Sequence, residues 1–237
     1  LASRLAITTL VWLVAALANG LHAESPRLVE KALENMQSTD ISDWSYTVTT
    51  SRHGKKTVER HDATKPEGSR WQLLLKSGEA PTADEIAEYL SAKRDQAEQK
   101  KRRRGKNRGE REISALVDAS SVELLAEDDA RATYSFRMKV EDKEDRKLAE
   151  HVRCTLVVDK ALPHVERLEM LSTDEIKPAI GVKISRFHVL MRFDRDAVTG
   201  TVLPRRLLTT IKGRAFFVKS LDENIVVSFA DYEKPAR

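Results

Sequence analysis

The chain has 237 residues, with 41 Lys and Arg against 37 Asp and Glu, one Cys, three Trp, four Tyr and six Phe. That length holds one large domain or two small ones with a core that folds without staples, and a single Cys excludes an internal disulfide framework and any cysteine-based zinc or iron–sulfur site. A hydrophobic fraction of 41% beside 33% charged residues excludes a multi-span membrane protein and a wholly disordered chain. The net charge of +4 argues for an anionic partner only where basic residues cluster.

Arg4 is the only charged residue before Glu24, and between them runs the apolar segment Leu5–Ala23. A positive start, an apolar run and a small residue ahead of a cut are the three parts of a secretory signal. The expected cut follows Ala23, leaving a mature chain of residues 24–237. An uncleaved anchor is the competing reading, since about 20 apolar residues span a bilayer. Asn19, Gly20 and His22 weaken the far end of the run. No cysteine follows it, so a lipid-attached protein is not expected. An exported, soluble, periplasmic protein is, with Cys154 as a small buried hydrophobe.

Pro26–Gln37 is predicted as a helix, with Ser25 as N-cap and Leu28, Val29, Leu33 and Met36 on one face. From Trp44 the period changes to two: Trp44, Tyr46, Val48 and Thr50 alternate with polar neighbours, as in a half-buried strand. His53-Gly54-Lys55 turns the chain into a polar return strand, Lys56–His61, which sets His53 and His61 facing one another across the hairpin. Asp62–Ser69 reads as a loop and Arg70–Lys76 as a third strand.

Thr82 and Glu85 form a capping box that opens a second helix. Ile86, Tyr89 and Leu90 give it a short apolar stripe, which vanishes after Ala92. Lys93–Arg111 then holds ten Lys or Arg and three Asp or Glu. The segment from about 82 to 111 is read as a basic helical insert that outruns its docking site. Its residues Lys100, Lys101, Arg102, Arg103, Arg104, Lys106 and Arg108 are the candidates for contact with an anionic surface, where each adds on the order of 1 kcal/mol. A solvated insert that serves solubility is the competing reading. Nucleic acid is not expected, because no aromatic residue interleaves the run.

Ile113–Leu125 is mixed, with Ser120-Ser121 read as a turn, and Ala132–Val140 alternates as a strand. From His151 to Tyr232 the chain is nearly continuous strand and turn, in the runs His151–Val158, His164–Ser172, Val182–Asp194, Thr201–Lys212, Arg214–Ser220 and Asn224–Tyr232. Turn signals spaced in this way, without βαβ alternation, argue for an antiparallel meander. In Val182–Phe193 the apolar parity flips, and a bulge near Ser185-Arg186 reconciles the two halves and curves the sheet. The expected fold class is therefore α+β: a curved antiparallel sheet that curls into a barrel or an open half-barrel, with two or three helices packed on the concave face.

No GxSxG, HxxxH or glycine-rich phosphate loop occurs, so neither an enzyme nor a metal or organic cofactor is expected. The residues placed on the inner face are Trp44, Tyr46, Val48, Trp71, Leu73, Phe187, Val189 and Met191. Alternation alone leaves open whether they fill a core or line a cavity.

The late stretch Thr155–Tyr232 contains Leu156-Val157-Val158-Asp159, Pro163-His164-Val165, Leu203-Pro204, Lys212-Gly213-Arg214 and Phe229-Ala230-Asp231-Tyr232. With the exported start, the short helix and the long meander, it resembles the LolA-like superfamily. That group includes periplasmic lipoprotein carriers, outer-membrane lipoprotein receptors and the lipid-binding domain of the sigma-E regulator RseB. The resemblance implies an incomplete β-barrel whose apolar interior takes acyl chains under helical lids, here Pro26–Gln37 and Thr82–Lys93. It implies non-covalent binding of a lipid or an acylated protein, in outer-membrane lipoprotein sorting, and, as an alternative, an RseB-like signalling or scaffold module that binds an envelope protein. The basic insert is a departure from the carriers.

Overall fold

A computed structural model describes residues 27–36, 41–104, 113–140, 146, 149–216 and 219–235. The expected signal segment at 1–23 lies outside the described residues, as do Lys106 and Arg108 and the side chains of Lys100, Lys101, Arg102, Arg103 and Arg104.

The first helix, α1, covers 27–36. Val29, Ala32 and Leu33 are buried and Leu28 and Met36 half-buried, which is the face its spacing predicts. The second, α2 (Ala83–Arg104), starts at the capping box: the Thr82 backbone N–H donates to Glu85 Oε2 at 2.9 Å, and the Glu85 N–H to Thr82 Oγ1 at 3.3 Å. A single turn, α3 (Ile113–Leu116), leads into the later strands.

The strands are β1 (Ser45–Arg52), β2 (Lys55–His61), β3 (Trp71–Lys76), β4 (Val117–Glu127), β5 (Arg131–Met138) and β6 (Val152–Asp159), followed by β7 (His164–Ser172), β8 (Ile176–Ala179), β9 (Val182–Arg195), β10 (Val202–Ala215), β11 (Lys219–Ser220) and β12 (Glu223–Glu233). They form one open antiparallel sheet in the order β3-β2-β1-β12-β10-β9-β7-β6-β5-β4, with β8 on β9 and β11 on β10. Two local meanders, β1–β3 and β4–β10, are joined by the last strand. β12 lies between β1 and β10, pairing Val48 with Phe229 on one side and Leu207 with Val227 on the other.

Local chemistry explains the turns and irregularities. His53 and Gly54 both take positive φ, 49° and 75°, as a two-residue hairpin turn of matching twist demands. The parity flip in β9 resolves where it was expected. Lys212 pairs with Arg186 and Gly213 with Ile184, which leaves Ser185 as the extra residue of a bulge. Ile184 and Phe187 thereby reach the same core. Gly213, which falls between the predicted runs Thr201–Lys212 and Arg214–Ser220, lies inside β10 instead. The bulge brings the opposite backbone so near that a Cβ on Gly213 would sit 2.4 Å from the Lys183 carbonyl oxygen, so glycine here serves close approach and does not end the strand. Arg214–Ser220 is accordingly the end of β10, a turn and the short β11. Ser120-Ser121 does interrupt β4: the Asp118 carboxylate accepts from the Ser120 backbone N–H and hydroxyl, at 3.1 and 2.6 Å, and pairing with β5 skips from Asp118 to Glu123.

The main core lies between α1 and one sheet face. Val29, Ala32 and Leu33 meet Tyr134 and Phe136 of β5, Cys154, Leu156 and Val158 of β6, Leu168 and Met170 of β7, and Val189 of β9. Leu156 is fully buried at its centre. Leu156→Ala should lower unfolding stability by about 2–5 kcal/mol in a urea titration, as expected for a leucine-sized void beneath a helix. Cys154 is also fully buried, and burial pushes its thiol up to about 11. An aromatic disulfide reagent should leave it unmodified in the native protein and react with one thiol per chain in denaturant; rapid native labelling would contradict this packing.

Candidate functional site

Strand register determines which side chains share the α1-bearing face. Across the sheet, Tyr134, Leu156, Leu168, Met191, Leu207, Val227 and Thr50 are successive cross-strand neighbours. Phe187 with Ile211, Val48 with Phe229, and Tyr46 with His61 and Trp71 lie on this same face. The β4–β7 end is roofed by α1 and buried. In the middle, Phe187, Met191, Leu207, Ile211, Ile225, Val227 and Phe229 are half-buried, so a largely apolar surface, interrupted by Thr209 and Thr50, spans β9, β10, β12 and β1.

The expected inner-face residues do share this face, but in separate groups. Trp44, Tyr46, Val48 and Trp71 belong to a small aromatic cluster with Leu203, Phe229 and Tyr232. Phe187, Val189 and Met191 belong to the core beneath α1. Leu73, opposite Glu59, is half-buried and outside both. The strands β12 and β10 separate the groups, and Leu207 and Val227, which sequence reading did not single out, connect them. Neither of two cavities, one of about 660 Å³ beside β5–β9 and one of about 420 Å³ beside Asn35 and Pro163, is lined by any of these side chains.

The aromatic cluster is tightly organised. Tyr46 and Trp71 each lie 4.9 Å from the His61 ring, and Tyr232 lies 5.5 Å from Tyr46. The Tyr232 hydroxyl donates to the Pro204 carbonyl at 2.6 Å, and burial pushes its phenol pKa up. His61 is buried, with Nδ1 2.7 Å from the Trp44 carbonyl oxygen. His53 is not opposite it. The register pairs His61 with Tyr46 and leaves His53 in the turn at the other end of the hairpin, 3.2 Å from Glu223.

α2 reaches the same face at its far end, with a different chemistry. Glu85, Tyr89, Leu90 and Lys93 are its half-buried positions, while Ile86, expected in the apolar stripe, is 38% exposed. Lys93 is the pin. Its ammonium is 2.8 Å from Glu59 and 4.1 Å from the centre of the Trp71 ring. Lys76 adds contacts to Glu85 and Glu88 at 3.4 and 3.6 Å. Burial, and then the Glu59 carboxylate, raise the Tyr89 phenol pKa. Beyond Arg94 the described side chains are exposed. The helix is therefore held by charge and a ring face where α1 is held by apolar burial.

The chain matches no family model, no curated protein and no solved structure.

Burial lowers the His61 pKa, with Arg70 and Lys93 adding to the effect against the Trp44 carbonyl and Asp62. Its unfolded form therefore takes up a proton first as pH falls. Stability supplied by the neutral buried ring is present above about pH 6.5 and is lost below it. The wild type should lose more thermal stability than His61→Gln between about pH 7 and 5, where a histidine near its ordinary pKa titrates. Parallel melting curves for the two proteins would contradict the assignment.

Proposed function

We propose that the protein is an exported, soluble binder of acyl chains, related in its way of working to the LolA-like carriers. It holds a lipid or an acylated protein without a covalent bond. The observation that carries this reading is the half-buried apolar face of β9, β10, β12 and β1, bordered by α1 and α2. Four strands about 4.8 Å apart make a trough roughly 14 Å wide between the outer strands. At roughly 25 cal/mol per Å² of buried apolar surface, a single chain laid along it gives weak, reversible capture.

The sheet in this reading curls into a half-barrel with the helix-bearing face inside, helped by the bulge at Ser185. α1 is the fixed wall. α2, seated by the Lys93–Glu59 pair and the Trp71 face, is the movable one, because an ion pair near the surface holds less firmly than a buried apolar seam. The basic end of α2 brings the carrier to an anionic membrane surface, where Lys100–Arg104 contribute attraction. Periplasmic residence follows from the apolar segment Leu5–Ala23. The reading requires no bond-making step.

The long exposed stretch of α2 also favours a second reading, an RseB-like scaffold whose insert docks an envelope protein. Loss of a captured partner on deletion of the insert, with acyl binding unchanged, would favour it.

Protein from a periplasmic extract should carry co-purifying lipid in native mass spectrometry and should take up a fluorescent fatty acid. Leu207→Glu, in the centre of the trough, should abolish uptake while the fold persists by circular dichroism. Lys93→Ala should speed both uptake and release, since it frees α2. Absence of co-purified lipid together with absence of uptake would falsify the carrier reading.

A further inference from the structure

The opposite face of the sheet carries an arrangement that acyl binding does not use. Arg206 of β10 is the direct cross-strand neighbour of Arg192 of β9, and Arg192 is that of Arg167 of β7. Three guanidinium-bearing residues thus stand in one row, at strand spacings of about 4.8 Å. Like charges directly opposite one another destabilise a sheet, so the row is a cost to the free protein. Among the described residues, none of the three has an ion pair or side-chain hydrogen bond. The Nε of Arg167 is buried and has no hydrogen-bond partner. An unsatisfied buried donor of this kind is expensive, more so on a charged group.

The row opens onto the cavity of about 660 Å³, whose wall includes Arg167 and Arg192. Each carboxylate in that wall is already engaged. Glu166 takes Arg131, with Oε2 2.5 Å from its Nε, and Glu127 lies 3.4 Å from Lys160. Asp194 lies 3.5 Å from Arg205, and Asp128 accepts the backbone N–H groups of Ala130 and Arg131 at 2.8 and 2.7 Å. Among the wall's other cationic or titratable groups, Arg195 donates through Nε to the Gly200 carbonyl at 2.8 Å, and His164 Nδ1 is 2.7 Å from the Leu162 carbonyl oxygen. Arg167 and Arg192 remain, with Arg206 beside them.

We propose that Arg206, Arg192 and Arg167 form a binding site for phosphoryl groups, with a diphosphate as the best fit. A carboxylate satisfies one guanidinium fork. A tetrahedral oxyanion presents acceptors to two neighbouring forks at once, and two linked phosphoryl groups match a row of three. The anion removes the repulsion along the row, meeting Arg167 at the part of its guanidinium that lines the cavity. The cavity leaves room for a sugar-sized or glycerol-sized head attached to the phosphoryl group. This site is independent of the apolar trough, which lies on the other side of the sheet.

Calorimetric titration of the full chain with inorganic pyrophosphate tests it. Saturable binding is expected, about ten- to a hundredfold weaker in Arg192→Gln and unchanged in Arg214→Gln at the far end of β10. Arg192→Lys, which keeps the charge and removes the fork, should fall on the weakened side. Free Arg192→Gln should melt higher than the wild type, because one repulsive neighbour is gone; should it fail to fold, the exposed Arg206→Gln serves in its place. Glycerol phosphate and phosphatidylglycerol vesicles then distinguish a soluble ligand from a lipid headgroup, and saturable binding of either that is lost with Arg192 supports the site. No saturable pyrophosphate binding, or equal weakening by Arg192→Gln and Arg214→Gln, overturns the proposal.

Discussion

The structure depends on the pairing of β12 with two strands that are far from each other in sequence. β1 lies near the start of the described chain and β12 near its end, yet their ladder runs from Ser45↔Glu233 to Arg52↔Ile225. On its other edge β12 pairs with β10 from Arg206↔Ser228 to Ile211↔Glu223. Without this seam the β1–β3 meander has no sheet to extend and the aromatic cluster loses Phe229 and Tyr232. A three-stranded meander on its own has little to bury against. Ion pairs sit at both ends of the strand, Arg52 with Glu223 and Arg60 with Glu233 at 2.9 Å. They are exposed and contribute little energy, but opposite charges at both ends disfavour a register slip.

The seam also unites two apolar surfaces that form for different reasons. The β4–β9 surface is made by alternation within a local meander and is closed by α1. The β1–β3 surface is small and aromatic, with Lys93 of α2 resting on Trp71. Joined through β12 and β10, they become one face with a covered end, an edge where Lys93 of α2 meets Glu59 and Trp71, and a half-buried middle. That gradation from buried core to half-buried middle follows the position of α1. The side chains in the middle are mostly apolar, with Thr209 and Thr50 among them.

The arginine row and the apolar row stand on opposite faces of the sheet, although Leu190, Leu208 and Val226 share the arginine face. Period-two alternation puts Leu168, Met191 and Leu207 on one side and Arg167, Arg192 and Arg206 on the other, one residue away in each strand. Bulges keep that division intact over long strands. Arg205 is the extra residue between Pro204 and Arg206 as Ser185 is between Ile184 and Arg186. An even pairing at either place would turn the rest of the strand over and mix the faces.

The sequence by itself determined the elements. Apolar residues at helical spacing marked α1, the Thr82–Glu85 box marked the start of α2, the alternation marked most strands, and the parity flip located the bulge at Ser185. Those signals act over a few residues, through torsions, caps and local burial, and so can be read from a window of sequence. Only the tertiary structure decided which strands are neighbours. Arg167, Arg192 and Arg206 each look like an ordinary solvent-facing position in their own strand, and nothing local says that they stand in a row. The same holds for Leu207 and Val227 at the join of the two clusters, for Lys93 as the pin of α2, and for Gly213 as a close approach and not a turn. Each of these depends on register between segments far apart in the chain, which backbone hydrogen bonds and burial select together and no single segment encodes.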